Sequence, residues 1–226
     1  MKCGFTLEHY KETIELAKDK GYEITPVTGY DEQKKTIVLR HDVDWSLENA
    51  YELANIEYDL GVQSSYYIFM HSATYSALAP KSMAMIQQIY KMGHEIGLHY
   101  DSRYSLSHEI DLLTRIIGHA ISSCSQHFID ATSKETYQGI LDAADLDMKY
   151  ISDSGRNWRE GCLCTNIGKH KKMHVLIHPE WWVSDSTNRQ DAVYKLWHSL
   201  QHALGRDMID IKQMLYDYTK KLGIEY

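Results

Sequence analysis

The sequence predicts an α/β fold in which helices pack around a parallel β-sheet. Short apolar runs of strand length alternate with longer segments in which apolar residues recur every three or four positions, as in folds whose parallel strands are connected by helices. The 226 residues are enough for one domain with a full core. No linker-like or low-complexity stretch divides the chain, so we expect a single domain over residues 1–226.

The helices are predicted from their 3.6-residue period and from the residues at their ends. Thr6 is a suitable cap for the first helix, Gly61 ends the second, and Pro80 stands where the third begins. In chain order, the predicted helices cover residues 7–20, 46–60, 80–92, 105–124, 134–144 and 191–222.

The strands are predicted from apolar runs that end in polar residues. They cover residues 36–40, 63–70, 95–99, 149–151 and 173–177, with a further candidate at 127–129. The stretch 23–35 reads as a connection because it is polar and contains Pro26 and Gly29. Residues 156–172 lack a clear period and are predicted to form a long loop over one face.

The first of these strands ends in two carboxylates. The apolar run Ile37-Val38-Leu39 is followed by Asp42 and Asp44, and residues two apart on a strand point the same way. The carboxyl ends of strands are where barrels and doubly wound sheets keep their chemistry. A structural alternative stays open, since Asp44 can also cap the next helix.

Other predicted strands also end in polar side chains. His71, His99, Asp153 and His178 each follow an apolar run, and in a parallel barrel all of these ends lie on one face. A single histidine at a strand end is usually structural, but repetition at successive strands favours a ligand set. Carboxylates and imidazoles together predict a divalent metal, with zinc first and manganese, iron or cobalt as alternatives.

Charge and cysteine content limit the classes of partner. The net charge of −7, from 24 basic and 31 acidic residues, disfavours a nucleic-acid partner. Cys162 and Cys164 form a C-x-C pair, without the spacing of a zinc knuckle, so we expect ordinary reduced thiols. We find no apolar signal segment and no membrane span in the sequence, and therefore expect a cytoplasmic protein.

Three motifs resemble those of polysaccharide deacetylases of the NodB-homology type, the family 4 carbohydrate esterases, in a divergent form. They are the paired-Asp motif at 40–44, the Gly-His-Glu-Ile-Gly-x-His motif at 93–99, and the Leu-x-His motif at 176–178. The resemblance implies an incomplete (β/α) barrel of parallel strands. It also implies a carbohydrate substrate, from which the enzyme would hydrolyse an N-acetyl group.

The resemblance also implies roles for individual residues. Asp42 would be the general base, Asp44 and His99 metal ligands, and His178 the acid that protonates the departing amine. The chain departs from the usual motif because Val43 separates the two Asp and Arg103 occupies the position of the second metal histidine. A guanidinium cannot bind a cation, so the third ligand must come from elsewhere. Our prediction is His127, with Asp101 and His178 as alternatives.

Aromatic and polar residues in the second half of the chain are candidates for binding the sugar. Sugars stack on aromatic rings and form hydrogen bonds with charged side chains, and we predict substrate contacts from Asp153, Arg156, Trp158 and Trp181. Core packing is the competing explanation for at least one tryptophan in this region, because the ring has a large apolar area.

The leading functional hypothesis is a metal-dependent deacetylase acting on an N-acetylated sugar or sugar intermediate, for example in surface-polysaccharide biosynthesis. One alternative is the same chemistry on a formamide or another amide of a non-sugar substrate. Another is a catalytically silent carbohydrate-binding or assembly protein. This alternative stays open because Arg103 occupies the position of a metal ligand. The sequence leaves the oligomeric state open.

Overall fold

Eight parallel strands form a single sheet within residues 1–185. The computed structural model describes residues 3–127, 137–183 and 186–202. Its strand order is β6-β5-β4-β3-β2-β8-β7, and β1 pairs with the beginning of β2. In the described part of the chain no pairing joins β6 to β7, so the barrel is incomplete, as predicted.

Strands and helices alternate along most of the chain. The strands are β1 Glu23–Thr25, β2 Thr36–Val43, β3 Ser65–Phe69, β4 Glu95–Tyr100, β5 Ser123–Gln126, β6 Leu141–Asp142, β7 Lys149–Ser152 and β8 Lys172–Ile177. The helices are α1 Leu7–Asp19, α2 Leu47–Asp59, α3 Pro80–Lys91, α4 Leu106–Ile117, α5 Leu163–Asn166 and α6 Glu180–Val183.

Short polar residues and glycine set several of the helix ends. The Thr6 hydroxyl accepts a hydrogen bond from the backbone N–H of His9 at 3.1 Å, and Ser46 caps α2 in the same way. Gly118 ends α4 in the left-handed conformation, with φ of 76°.

Four predicted elements differ from the structure. The predicted helix 105–124 ends at Ile117, and its last residues belong to β5 instead, because Gly118 stops the helix. The described part of the predicted helix 134–144 contains β6 and a 3₁₀ turn; its first three residues lie outside the described chain. The connection 23–35 contains β1, and the loop 156–172 contains α5.

Other predictions fall partly outside the described residues. His127 lies just beyond β5, and the rest of the candidate strand 127–129 is outside the description. In the predicted helix 191–222, the described residues are helical as far as position 202.

The two faces of the sheet differ in character. Tyr66 and Ile68 of β3 belong to an apolar core that includes buried residues of α2, α3 and α4. The opposite face of β2 carries Arg40 and Asp42, both buried. The same face carries an apolar cluster that includes Val38 and Tyr67, and the charged pair lies beyond it toward the carboxyl ends of the strands, where the candidate site lies.

Cα packing divides the chain into two compact units, 1–185 and 186–226. The expectation of one domain over residues 1–226 stays a prediction. Among the described residues, no helix combines the length and the apolar character needed to cross a lipid bilayer.

Candidate active site

Three predicted ligands meet at the carboxyl edge of the sheet. Asp44 follows β2, His99 lies near the end of β4, and His127 follows β5. The Nε2 atom of His99 is 3.2 Å from Asp44 Oδ1 and 3.0 Å from His127 Nδ1. The three donor atoms form a triangle, and its third side, from His127 Nδ1 to Asp44 Oδ1, measures 3.4 Å.

The triangle has dimensions that fit a single divalent cation. Donors about 2.0–2.1 Å from zinc, at tetrahedral angles, lie roughly 3.3–3.4 Å from one another. Lone pairs so close repel each other unless a proton or a cation lies between them. Asp44 Oδ1 is buried and makes no hydrogen bond of normal geometry in the described part of the chain, which favours the cation. Two imidazoles and one carboxylate suit zinc and also iron.

The two histidines are oriented so that one ring nitrogen of each faces Asp44. His99 donates its Nδ1–H to the backbone carbonyl of Ser125 at 2.9 Å, leaving the Nε2 lone pair directed at the triangle. The His127 ring stacks on Phe69 with ring centroids 4.2 Å apart. Burial opposes ionisation of Asp44, but the two imidazoles outweigh it and hold the pKa of this carboxyl well below its usual range.

The other candidates for third ligand are engaged elsewhere or lie further away. Arg103 Nε lies 2.9 Å from both carboxylate oxygens of Asp101, and this pairing lowers the pKa of Asp101 to about 2. The Arg103 side chain is 71% exposed, so its charge is well solvated. His178 approaches the set only to 4.0 Å, between its Nε2 and Asp44 Oδ2.

Asp42 is buried beside the triangle. Its Oδ2 is 3.2 Å from Arg40 Nη2 and 3.7 Å from His99 Nε2. Its other oxygen, Oδ1, is buried and has no hydrogen-bond partner among the described residues. The Arg40 guanidinium therefore holds one oxygen of Asp42, and the other oxygen is able to accept a proton.

His178 is held by a buried carboxylate on the other side of the site. Its Nδ1–H donates to Asp153 Oδ1 at 2.7 Å, and Trp182 Nε1 donates to Asp153 Oδ2 at 2.8 Å. Burial lowers the pKa of His178, but the hydrogen bond and charge of Asp153 outweigh it and raise this pKa to about 10. The remaining ring nitrogen, Nε2, faces Asp44.

The four residues predicted to bind substrate lie in different surroundings. Asp153 is completely buried and Trp181 is only 5% exposed, and contact of either side chain with substrate stays a prediction. Arg156 lies over the ring of Phe5 at 5.0 Å, and Trp158 stacks on the same ring with centroids 6.1 Å apart. Substrate contact by Arg156 and Trp158 stays a prediction.

Two residues near the site escaped the sequence analysis. Trp45 follows Asp44 directly, is partly exposed, and meets Trp181 edge to face at 5.8 Å; its position next to the paired-Asp motif was the available signal. Glu180 is buried close to His178, and burial raises its pKa to about 8. A lone Glu after a strand gave no comparable signal.

Comparisons with solved structures find remote likenesses. One similar solved structure is the catalytic domain of a peptidoglycan N-acetylglucosamine deacetylase from Eubacterium rectale, with 15% identity, TM-score 0.49, and coverage of 77% of this chain and 87% of that one. Another is a family 4 carbohydrate esterase from Bacillus anthracis, with 15% identity, TM-score 0.47 and 90% of each chain covered. The chain resembles the family 4 carbohydrate esterases.

The same comparison also finds a family 4 pseudoenzyme from Bacillus anthracis, with 12% identity, TM-score 0.46, and coverage of 76% of this chain and 63% of that one. No family profile and no curated protein matches the chain by sequence. These structural likenesses are remote. The fold is assigned from the parallel sheet itself, and the chemistry open to the chain follows from its site residues.

Proposed function

We propose that this chain is a metal-dependent hydrolase that removes an N-acetyl group from a sugar or sugar intermediate. The observation that carries the proposal is the convergence of Asp44, His99 and His127, whose donor atoms lie 3.0–3.4 Å apart. Asp42 and His178 lie on either side of these ligands. A base, an acid and a cation site thus share one edge of the sheet.

Asp44, His99 and His127 would hold the metal, for which zinc is our first choice and manganese, iron or cobalt the alternatives. When bound, the metal supplies Lewis-acid chemistry that polarises an amide carbonyl. The chain's own contribution to binding is a ligand set fixed on three strand ends, with His99 oriented by the Ser125 carbonyl.

Asp42 is the proposed general base. Its Oδ1 takes a proton from the attacking water, while Arg40 holds Oδ2 and keeps the carboxylate in one orientation. Because both groups are buried, little rearrangement is needed at the moment of proton transfer.

His178 is the proposed general acid. Its Nδ1–H is committed to Asp153 at 2.7 Å, so a proton on Nε2 is the one directed toward the site. An amine leaves poorly as an anion, and protonation of its nitrogen by His178 completes the cleavage of the C–N bond.

The sugar itself requires an exposed aromatic surface. Trp45 is partly exposed and follows Asp44 directly, so we propose its ring as a platform against which a sugar face packs. A non-sugar amide would have no need for this contact, and Trp45→Ala therefore separates the two kinds of substrate.

The test is release of acetate from a panel of N-acetylated sugars by metal-loaded protein. We expect turnover by the wild type, and a loss of about 10²–10⁴-fold in kcat for Asp42→Asn with its metal content unchanged. His99→Ala should lose both metal and turnover, because it removes a ligand.

Metal-loaded wild type that releases no acetate from any sugar of the panel would refute the proposal for sugars. Wild-type metal content in His99→Ala would refute the ligand assignment. Parallel assays with formamides test the alternative substrate class, and retention of sugar binding without turnover would identify a silent relative.

A further inference from the structure

A second cluster of metal-binding side chains lies outside the candidate active site. It consists of Cys3, His9, Cys162 and Cys164, whose donor atoms all lie within 4.8 Å of one another. The Sγ atoms of Cys3 and Cys164 are 3.2 Å apart, and His9 Nε2 is 3.3 Å from Cys162 Sγ. None of these residues belongs to the set formed by Asp44 and its two histidines.

We propose that these four residues form a structural zinc site. Three thiolates and one imidazole are a donor set of closed zinc sites, which need no water ligand. With Zn–S near 2.3 Å and Zn–N near 2.0–2.1 Å, the edges of such a tetrahedron are roughly 3.8 Å between two sulfurs and roughly 3.5 Å between nitrogen and sulfur. The distance between Cys3 Sγ and Cys164 Sγ is 3.2 Å and that between His9 Nε2 and Cys162 Sγ is 3.3 Å, so small movements apart of these side chains would admit the cation.

A disulfide explains the cluster less well. The Cys3 and Cys164 sulfur atoms, at 3.2 Å, are well beyond the bond length of about 2.05 Å. A disulfide between them would also leave the contact of His9 with Cys162 unaccounted for, whereas one cation uses all four donors.

The polypeptide presents these donors from ordered elements. The backbone of His9 is fixed in the first turn of α1 by the hydroxyl of Thr6, and the His9 ring stacks on Trp182 with centroids 6.2 Å apart. The Cys162 carbonyl accepts hydrogen bonds from Thr165 N at 2.9 Å and Asn166 Nδ2 at 3.0 Å. These contacts give the Cys162 turn a fixed shape before any cation binds.

The second nitrogen of His9 also has a suitable neighbour. His9 Nδ1 makes no hydrogen bond among the described residues, and the carboxylate of Glu12 lies 3.9 Å away on the same helix. Histidines that bind zinc commonly donate their other N–H to a carboxylate. A small rotation of the half-exposed Glu12 side chain would complete that bond.

Zinc at this place would join parts of the chain that are far apart in sequence. Cys3 and Cys164 are separated by 161 positions, and His9 and Cys162 by 153. Because a preformed site does not exist in the unfolded chain, the free energy of metal binding adds to that of folding. Because the cation closes so long a loop, it restricts the unfolded chain and so makes a large entropic contribution to the stability of the fold.

Cobalt substitution tests the proposal on the full-length chain. Purified under reducing conditions and loaded with Co²⁺, the wild type should show thiolate-to-cobalt charge-transfer absorption in the near ultraviolet. The set at Asp44, His99 and His127 contains no sulfur and cannot produce that band. The double variant Cys3→Ser/Cys164→Ser should lose the band, whereas Cys124→Ala, which removes a thiol outside the cluster, should keep it.

Thermal unfolding gives a second readout that does not depend on catalysis. In the His99→Ala background, removal of zinc with a chelator should lower the Tm by several degrees. The same treatment should leave the Tm of His99→Ala/Cys164→Ser unchanged. Chelation therefore reports only on the thiolate cluster, whatever the fate of the proposed deacetylase activity.

A wild-type protein that binds cobalt with its thiols reduced but shows no charge-transfer band would overturn the proposal, as would persistence of the band in the double variant. The first result is obtained on folded wild-type protein. The second is obtained on a variant whose changes lie at Cys3, which is exposed, and Cys164, which is half-exposed.

Discussion

His127 is the proposed third metal ligand, in place of the histidine whose motif position Arg103 occupies. His127→Ala should reduce metal affinity by more than the roughly 10–100-fold that loss of an outer-shell partner causes, because its Nδ1 is 3.4 Å from Asp44 Oδ1 and 3.0 Å from His99 Nε2. Titration with zinc in competition with a chromophoric chelator measures the change.

Arg103→Ala is the matched control for that experiment. The Arg103 side chain is mostly exposed and pairs with Asp101, and exposed ion pairs contribute about 0–1 kcal/mol. Metal affinity should thus change by less than about fivefold. A loss as large as that of His127→Ala would mean that Asp101 or Arg103 shapes the ligand set directly.

In the proposed mechanism, Asp153 acts through His178, whose Nδ1–H donates to its carboxylate. Asp153→Asn keeps the size of the side chain but removes the charge and one acceptor, so kcat should fall by up to about 10²–10⁴-fold with metal content unchanged. In a His178→Ala background, the same substitution should have little further effect on kcat, because the two residues act as one unit. Additive losses in the double variant would assign Asp153 a separate role.

The sequence predicts Asp44, His99 and His127 as metal ligands because each one ends a strand or follows one closely, and the structure brings their donor atoms together. His127 was chosen by this rule alone and lies with Asp44 and His99. Asp153 has the same position in its strand but is turned into the interior, where Trp182 and His178 surround its carboxylate. Position along the chain predicts which edge of the sheet a residue occupies, whereas burial of its side chain depends on neighbours distant in sequence.

At the level of elements, helix α2 is joined to the sheet through Glu57. This fully buried carboxylate lies 2.7 Å from His41 Nε2 of β2 and accepts a hydrogen bond from Tyr66 of β3 at 2.9 Å. Tyr10 of α1 also donates to it. Burial alone would raise the pKa of Glu57, but His41, His94 and Ser64 outweigh it and lower this pKa to about 2.

Glu57→Gln should therefore destabilise the fold in a pH-dependent way. The pKa of Glu57 is lower in the folded than in the unfolded chain, so its ionisation adds stability that is fully present above about pH 4.5 and is lost as the pH falls toward 2. The shift corresponds to roughly 3 kcal/mol. Urea unfolding at several pH values should show wild type and variant converging in acid; a constant difference between them would refute this account.

Gly97 of β4 allows the strand that carries His99 to pack against Tyr67. A Cβ at this position would lie 2.3 Å from Tyr67 Cε1 and 3.0 Å from the carbonyl oxygen of Ser123. We therefore expect Gly97→Ala to lower the free energy of unfolding by about 1–3 kcal/mol, measured by urea denaturation.

The double variant Gly97→Ala/Tyr67→Leu tests the cause. With the ring removed, the added methyl group should cost less than it does in the wild type, so the two changes should combine less than additively. Strict additivity would show that the ring is not the obstacle. This close approach gives a physical reason for glycine two residues before the histidine of the Gly-x-His motif.

For the molecule as a whole, alternation of apolar runs with amphipathic segments was sufficient to predict a parallel sheet with helices outside. The predicted helix 105–124 was too long because its apolar period continues past Gly118, although the chain turns there and re-enters the sheet as β5. The cysteines were predicted to be ordinary thiols, since no spacing rule connects Cys3 and His9 with a C-x-C pair at the other end of the domain.

The place of β2 between β3 and β8 has a consequence for how the chain folds during its own synthesis. The β2–β3 pair forms between neighbouring segments, but Thr36 of β2 pairs with Lys172 of β8, far along the chain. Contacts between such distant segments form slowly because their loop-closure entropy must be met first. A chain leaving the ribosome thus presents Asp44, His99 and His127 well before His178. We therefore expect the nascent protein to be able to bind a cation at the first three residues before the proposed general acid is in place.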